Sequence, residues 1–500
     1  MFVTRNNSGQ ASLVVVLIMA IVLLLGGAAL TLASGSKQLA LLREERTQAY
    51  YIADAGIEMF ASVLRQHPDD PWAVTVPEEY AGGNLEVVVT EVNAVSEGTE
   101  VCLESTGSLG DAVQRIAAGM RVSRTLDFSY GVWTASPSES PSQFGNNVEV
   151  YSNVVANGAL AAKNVRFVGE MLTGGLELLN SSSVSGDIWS DGDVTVKNAA
   201  LTGNIYVRGA LVIGNNAEVG GGVWATNDIT VANNLQLGGG IESGGRVSIG
   251  NNTGLAGGVR ANGPVELGGK VVIENDVMAV GDVSLGNNAR VTGDVWSMGD
   301  VSLSSNARVD GDVHANGAIT KKANAGVGGG EFAQQNNHFY FDVDPVVDTP
   351  AFPEADEDWY RKQATTIYQP GDQCLSLSGE TLDGIHFVEG NLEISGNYMG
   401  YAVFYVTGDI AVSADLEAED GALLLITPGD ARVGANRRTD AFIFAGGGLV
   451  LGANAGLHGG LIARTVDAGS NVEIHHRPEM YHAALETHLV KVEYLYWKES

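Results

Sequence analysis

Asp282, Asp294, Asp300 and Asp312 recur beside glycines at regular intervals. A row of carboxylates is what polysaccharide cleavage requires, one acid to protonate the leaving oxygen and a second as base or nucleophile. Their regularity argues against that use. An active site is made once, whereas these aspartates return at fixed phases of a repeating unit, and aspartate is a turn residue because its carboxylate bonds backbone N–H groups. Stacked aspartate turns can also hold hard cations, but the GGxGxD pattern of calcium-loaded rolls is absent. His475 and His476 are adjacent, so on a strand they face opposite sides and cannot share a metal. His314 is the one histidine of the repeat region and the one candidate for an acyl-transfer base between coils, a role that suits a membrane-anchored chain badly. Cys102 and Cys374 are too few for a disulfide framework and lack metal-ligand spacing. No catalytic residue, metal or cofactor is expected, and the chain is not expected to be an enzyme.

The aspartates belong to units that open at Gly186, Gly203, Gly221, Gly239, Gly257, Asn275, Gly293 and Gly311, in steps of 17 and then 18 residues. A fixed period of that size marks a solenoid. Within the unit at Gly293, Val295 and Ser297, Val301 and Leu303, then Ala307 and Val309 form i, i+2 pairs every six residues. Alternation of period two means strands, and three short strands separated by corners means one triangular coil. Stacked coils pair as parallel sheets about 4.8 Å apart. The expected fold is mainly β, a parallel β-helix with regular coils over 146–330 and irregular coils over 371–482. Between them lies an acidic insertion, 331–370, with one short helix near Asp356 to Gln363. Residues 483–500 read as a tail. The pairs Asn215/Asn216, Asn233/Asn234, Asn251/Asn252 and Asn287/Asn288 fall at one corner, where asparagine tolerates the left-handed region and its amides can ladder along the rod.

Trp189, Tyr206, Trp224 and Trp296 share the fourth position of their units, beside an inward residue and so pointing outward. Large aromatics on one outer face make a stripe that rarely stays bare. Either this chain's own C-terminal coils or acidic insertion cover it, or it is a contact surface for a partner, a glycan or a host or cell surface.

With 28 basic and 59 acidic residues the chain carries a formal charge of -31. Such a surface repels phosphate backbones, so nucleic acid is excluded as the main partner.

Residues 11–33 carry no charge and as a helix would span roughly 34 Å, enough to cross a bilayer core. A nine-residue leader, MFVTRNNSG, precedes them. The helical pattern continues to residue 66, with Leu39, Leu42, Ala49, Ile52, Ala53, Ile57 and Phe60 on one face. Residues 67–130 then read as a small β region, and the Pro- and Ser-rich stretch within 126–145 as a linker.

A short leader ending in Gly9, an uncharged span directly after it and the continuation AYYIADAGIEMFAS resemble the N-terminal region of type IV pilin-like proteins, specifically the PilX-like minor pilins. The resemblance covers about the first sixty residues. It implies cleavage by a prepilin peptidase between Gly9 and Gln10, and a helix whose Val14, Leu17 and Leu24 pack in the membrane and against other pilin-like subunits. It also implies a head outside the cytoplasmic membrane, at the pilus or cell surface after assembly. Two positions depart from the pattern: Gln10 replaces the usual aromatic residue, and Val14 stands where major pilins carry Glu. The regular array resembles the polymer-forming bactofilin rod at the level of its repeat, which implies a membrane-tethered scaffold as the alternative. Lys37, Arg43 and Arg46 follow the span while Arg5 alone precedes it, a balance that by charge counting puts the body in the cytoplasm. A carbohydrate-active surface enzyme is the third reading.

Overall fold

The computed structural model describes residues 8–65, 68, 70–95, 98–124, 126, 128–136, 141–347, 349–481 and 490–499, without the side chains of 8–14, 124, 481 and 499. The chain forms two compact units, one of Met1–Arg124 with Leu489–Ser500, the other of Thr125–His488.

The first unit is built on one helix, α1 (Ser8–Leu64). Its N-terminal half is apolar and bare: Leu17 is 57% exposed and Leu24 74%, and the apolar window is 0% buried. Further along, Ala49, Ile52, Ala53, Ile57, Phe60, Ala61 and Leu64 are fully buried or nearly so. They lie against an antiparallel sheet of β1 (Glu79–Tyr80), β2 (Gly83–Val95), β3 (Gly98–Leu109) and β4 (Ala112–Arg124). Each buried Ile or Phe contributes roughly 1.5–3 kcal/mol. Helix and sheet approach closely because Gly56 faces Ser105 and Leu85, where a Cβ would collide. The Ser105 hydroxyl donates to the Ala53 carbonyl at 2.6 Å. Val490–Glu499, expected as part of a tail, is a strand that pairs antiparallel with β4, Arg124 opposite Val490. The second unit is therefore inserted between two adjacent strands of the first.

That second unit is a parallel β-solenoid contained in one 40-stranded sheet. Inward residues such as Val295, Val301, Ala307 and Val309 are 0% exposed. The corner asparagines Asn216, Asn234, Asn252 and Asn288 have φ of 55°, 61°, 56° and 58°. Between coils, Asn216 Nδ2 donates to Asn198 Oδ1 and Asn252 Nδ2 to Asn234 Oδ1, both at 3.0 Å.

The order of coils differs from the order of sequence. The irregular C-terminal coils do not continue from the last regular coil; they stack on the first. Leu461 pairs with Val132, Asp467 with Gln143 and Ile474 with Val150, and Val132 and Val150 pair onward with Val154 and Phe167. The asparagine ladder crosses this seam, since Asn147 Nδ2 donates to Asn471 Oδ1 at 3.2 Å and Asn471 Nδ2 to Asn454 Oδ1 at 2.9 Å. The segment expected as a linker thus contributes the strands Val132–Thr134 and Ser142–Phe144. Its inward side holds a buried hydroxyl trio, Thr134, Ser136 and Ser142, and Ser142 also accepts the Val466 N–H at 3.0 Å.

Residues 333–347 and 349–356 run from the far end of the regular coils back to the start of the C-terminal ones as an extended strap. Asn316 and Asn337 exchange reciprocal bonds at 2.9 and 2.7 Å, Asn262 and Phe341 at 2.8 and 3.0 Å, and Asn157 donates to the Pro350 carbonyl. Beyond it lies α2 (Glu357–Gln363), whose N-cap Asp356 accepts from the Trp359 N–H.

Candidate functional site

The aspartate row is occupied by backbone. Asp276 Oδ1 accepts the N–H of Asp294, Asp282 that of Asp300 and Asp294 that of Asp312, each at 2.8 Å, and Asp300 and Asp312 do the same for Ala318 and Gly330. Each carboxylate therefore ties its coil to the next. Among the described residues, no group of three or more His, Cys, Asp or Glu is arranged to hold a metal ion. His475 stacks on Tyr151 at 4.4 Å while the ring of His476 meets the Phe128 carbonyl at 2.9 Å, so the two point apart. Burial holds the His476 pKa below the usual histidine range. Cys102 and Cys374 are free thiols, the first half-buried and the second exposed.

Of the residues expected to be processed or to pack in the membrane, Gly9, Gln10 and Val14 lie in α1 with side chains outside the described residues. Leu17 and Leu24 are on the bare apolar half of the helix.

The outer stripe is present, in two separate stacks. Trp189, Tyr206 and Trp224 lie ring on ring at 3.9 and 4.8 Å. Burial pushes the Tyr206 pKa up, with a smaller contribution from Asp187. Trp296 belongs to a second stack, 3.6 Å from His314, which is 4.6 Å from Phe332. His314 is thus a ring in a stack. Neither His314 nor Phe332 was assigned to the stripe from sequence, although both occupy the same phase of their units. Successive parallel pairings make Glu242, Arg260 and Met278 the rungs between the stacks.

Across the seam, the same outward row runs through Trp133, Ile462, Phe444, Ile426, Tyr405 and Phe387. There it is covered by the insertion. Phe352 packs on Phe444 at 6.1 Å, buried Tyr360 stacks on Tyr405 at 4.9 Å, and the Arg361 guanidinium sits 4.5 Å over Phe387. Burial, reinforced by Glu357 and Asp356, raises the Tyr405 pKa to about 12. Trp189, Tyr206, Trp224 and Trp296 remain half-exposed, with the strap on the neighbouring corner.

No protein-family model matches the chain, and no curated protein does. Among solved structures, the competence-associated pilin ComZ from Thermus thermophilus is 13% identical, over 91% of this chain and 97% of that one, with a TM-score of 0.24. A possible adhesin C-terminal domain from Caldicellulosiruptor kronotskyensis is 11% identical over 71% and 93%, with a TM-score of 0.20. An ice binding protein from an Antarctic Flavobacteriaceae bacterium is 11% identical over 70% and 97%, with a TM-score of 0.15. The functional reading below rests on the residues of this chain.

Proposed function

We propose that this chain is a non-enzymatic, pilin-like surface protein of a type IV pilus or related assembly system, anchored by α1 and presenting the solenoid for structural or adhesive contacts. The observation that carries this reading is the division of α1 into a bare apolar half and a half clasped by an antiparallel sheet. The first suits a membrane and, after assembly, a bundle of like helices; the second carries a head. The backbone role of the aspartate row supports the non-enzymatic part, because carboxylates that hold neighbouring coils are not free to turn over a substrate.

Within such a filament we assign the protein to the tip or assembly platform. By the resemblance, the Glu at the fifth mature position meets the charged amino terminus of a neighbouring subunit, and Val14 has no charge to offer. A subunit added beneath existing ones would leave a buried charge uncompensated, whereas an initiating subunit has no earlier neighbour. Bulk points the same way, since so large a head cannot repeat at the 8–10 Å spacing typical of packed helices.

Two measurements test the reading: the amino-terminal sequence of the mature protein, and antibody to residues 186–329 on intact cells. A mature start at Gln10 with label at filament ends is expected. Uniform decoration of the shaft would remove the tip assignment. An uncleaved leader with a protected, cytoplasmic head would overturn the pilin reading in favour of the membrane-tethered scaffold, to which Lys37, Arg43 and Arg46 lend weight.

A further inference from the structure

The break in the aromatic stripe is a cavity of about 230 Å³, walled at one end by Trp224, with Glu242, Arg260 and Met278 along it. How the rings are seated explains the space. The benzo edge of Trp224 lies over Gly222, where a Cβ would come within 2.6 Å of the ring, and Phe332 lies over Gly330 in the same way. On the next two coils Gly240 and Gly258 hold the corresponding positions, each facing backbone of the following coil, and the residues two positions on are Glu242 and Arg260, not rings. Trp224 is stacked on Tyr206 through one face, which leaves its other face toward the vacant rungs.

We propose that this gap is a carbohydrate-binding site, taking a neutral pyranose that continues the ring stack on Trp224 while its hydroxyls bridge Glu242 and Arg260. The chemistry at the walls selects this class. An indole face matches the apolar C–H face of a pyranose, and a carboxylate beside a guanidinium offers an acceptor and a fork of donors to vicinal hydroxyls. Glu242 and Arg260 stand 3.9 Å apart, beyond hydrogen-bond length, so both keep bonding capacity for a hydroxyl between them. A flat aromatic ligand would fill the same space but offer neither the carboxylate nor the guanidinium a hydrogen bond. Arg260 is steadied from the strap, its guanidinium 5.9 Å over Phe341, which is itself held by Asn262. The site is thus largely pre-formed.

The inference deepens the reading of the solenoid as a contact surface and rests on it, but the two fail separately: leader cleavage and head location do not depend on sugar binding in vitro. The full chain in detergent micelles is titrated with neutral hexasaccharides of β-1,4-glucose, α-1,4-glucose and β-1,4-N-acetylglucosamine, read by calorimetry and by tryptophan fluorescence. At least one should bind and alter the fluorescence, and Trp224→Ala or Glu242→Gln should weaken it about tenfold or more. Glu242→Trp is the control for folding, because it adds a ring in register with Trp224; it should abolish binding without lowering the melting temperature. Binding by none of the three sugars, or binding that Glu242→Trp leaves unchanged, overturns the proposal. Binding of indole in place of every sugar overturns it equally.

Discussion

The strap measures the rod. Asn262 and Asn316 are three coil steps apart, about 14 Å at 4.8 Å per coil. Their partners Phe341 and Asn337 are four residues apart, and four residues reach at most about 14 Å when fully extended. Duplicating the coil 275–292 would move the two anchors to about 19 Å, which that stretch of strap cannot span. One reciprocal pair must then open, losing two hydrogen bonds of about 0.5–1.5 kcal/mol each, roughly 1–3 kcal/mol in all. The added coil itself extends the core, so a global melt would mask the loss. Hydrogen exchange at the Asn337 and Phe341 amides isolates it: at least one should exchange about 5- to 150-fold faster than in the natural chain. Two residues inserted between Asn337 and Phe341 should restore protection. If both amides stay protected in the duplicated protein without those extra residues, the strap is not at its limit and the reasoning fails.

Val301 is inward and 0% exposed; Val301→Asp should cost about 4 kcal/mol or more, and an unchanged melting curve would place it elsewhere. Asp440, 2% exposed, is pushed upward by burial, but His458 at 2.8 Å and Arg438 at 3.1 Å outweigh this and hold its pKa below the ordinary 3.8. A depressed carboxylate pKa gives stability that is present above the unfolded value and lost as pH falls through the folded one. Urea melts should therefore show a loss of stability below about pH 4 that Asp440→Asn reduces; equal acid sensitivity in the variant would contradict the assignment. Truncation before Val490 should expose β4 as a sheet edge and speed exchange along Ala112–Arg124, with little change in the inward valines of the regular coils.

The period of the array, its inward pairs, its corner asparagines and the short helix after Asp356 were legible because each follows from spacing within one or two coils. The order of the coils was not. Every coil offers a neighbour the same backbone edges, so nothing local says that Ile474 pairs with Val150 and not with a residue at the far end. The first coil was also hidden by its own interior: Thr134, Ser136 and Ser142 replace the expected apolar alternation with hydroxyls that satisfy one another, and a Ser- and Pro-rich stretch reads as a linker. The strand over 490–499 does alternate, but its partner β4 is hundreds of residues away. In the stripe, Trp189, Tyr206, Trp224 and Trp296 stood out as large rings, while His314 and Phe332 shared their phase and passed unnoticed. The gap was equally visible at Glu242, Arg260 and Met278. It acquired meaning only once the cavity at these rungs was seen to be walled by Trp224.

Because the solenoid is inserted between β4 and its neighbouring strand, both of its connections leave one rung of the first unit, Arg124 opposite Val490. Both also reach adjacent coils at the seam. Mechanically this is a loop held at its two feet. Tension applied through the anchor divides between the coil begun by Val132 and the coil ended by His476, and neither outer end of the rod is pulled. A solenoid tethered by one terminus peels coil by coil from that terminus. Here peeling must first part the seam, where three faces pair at once.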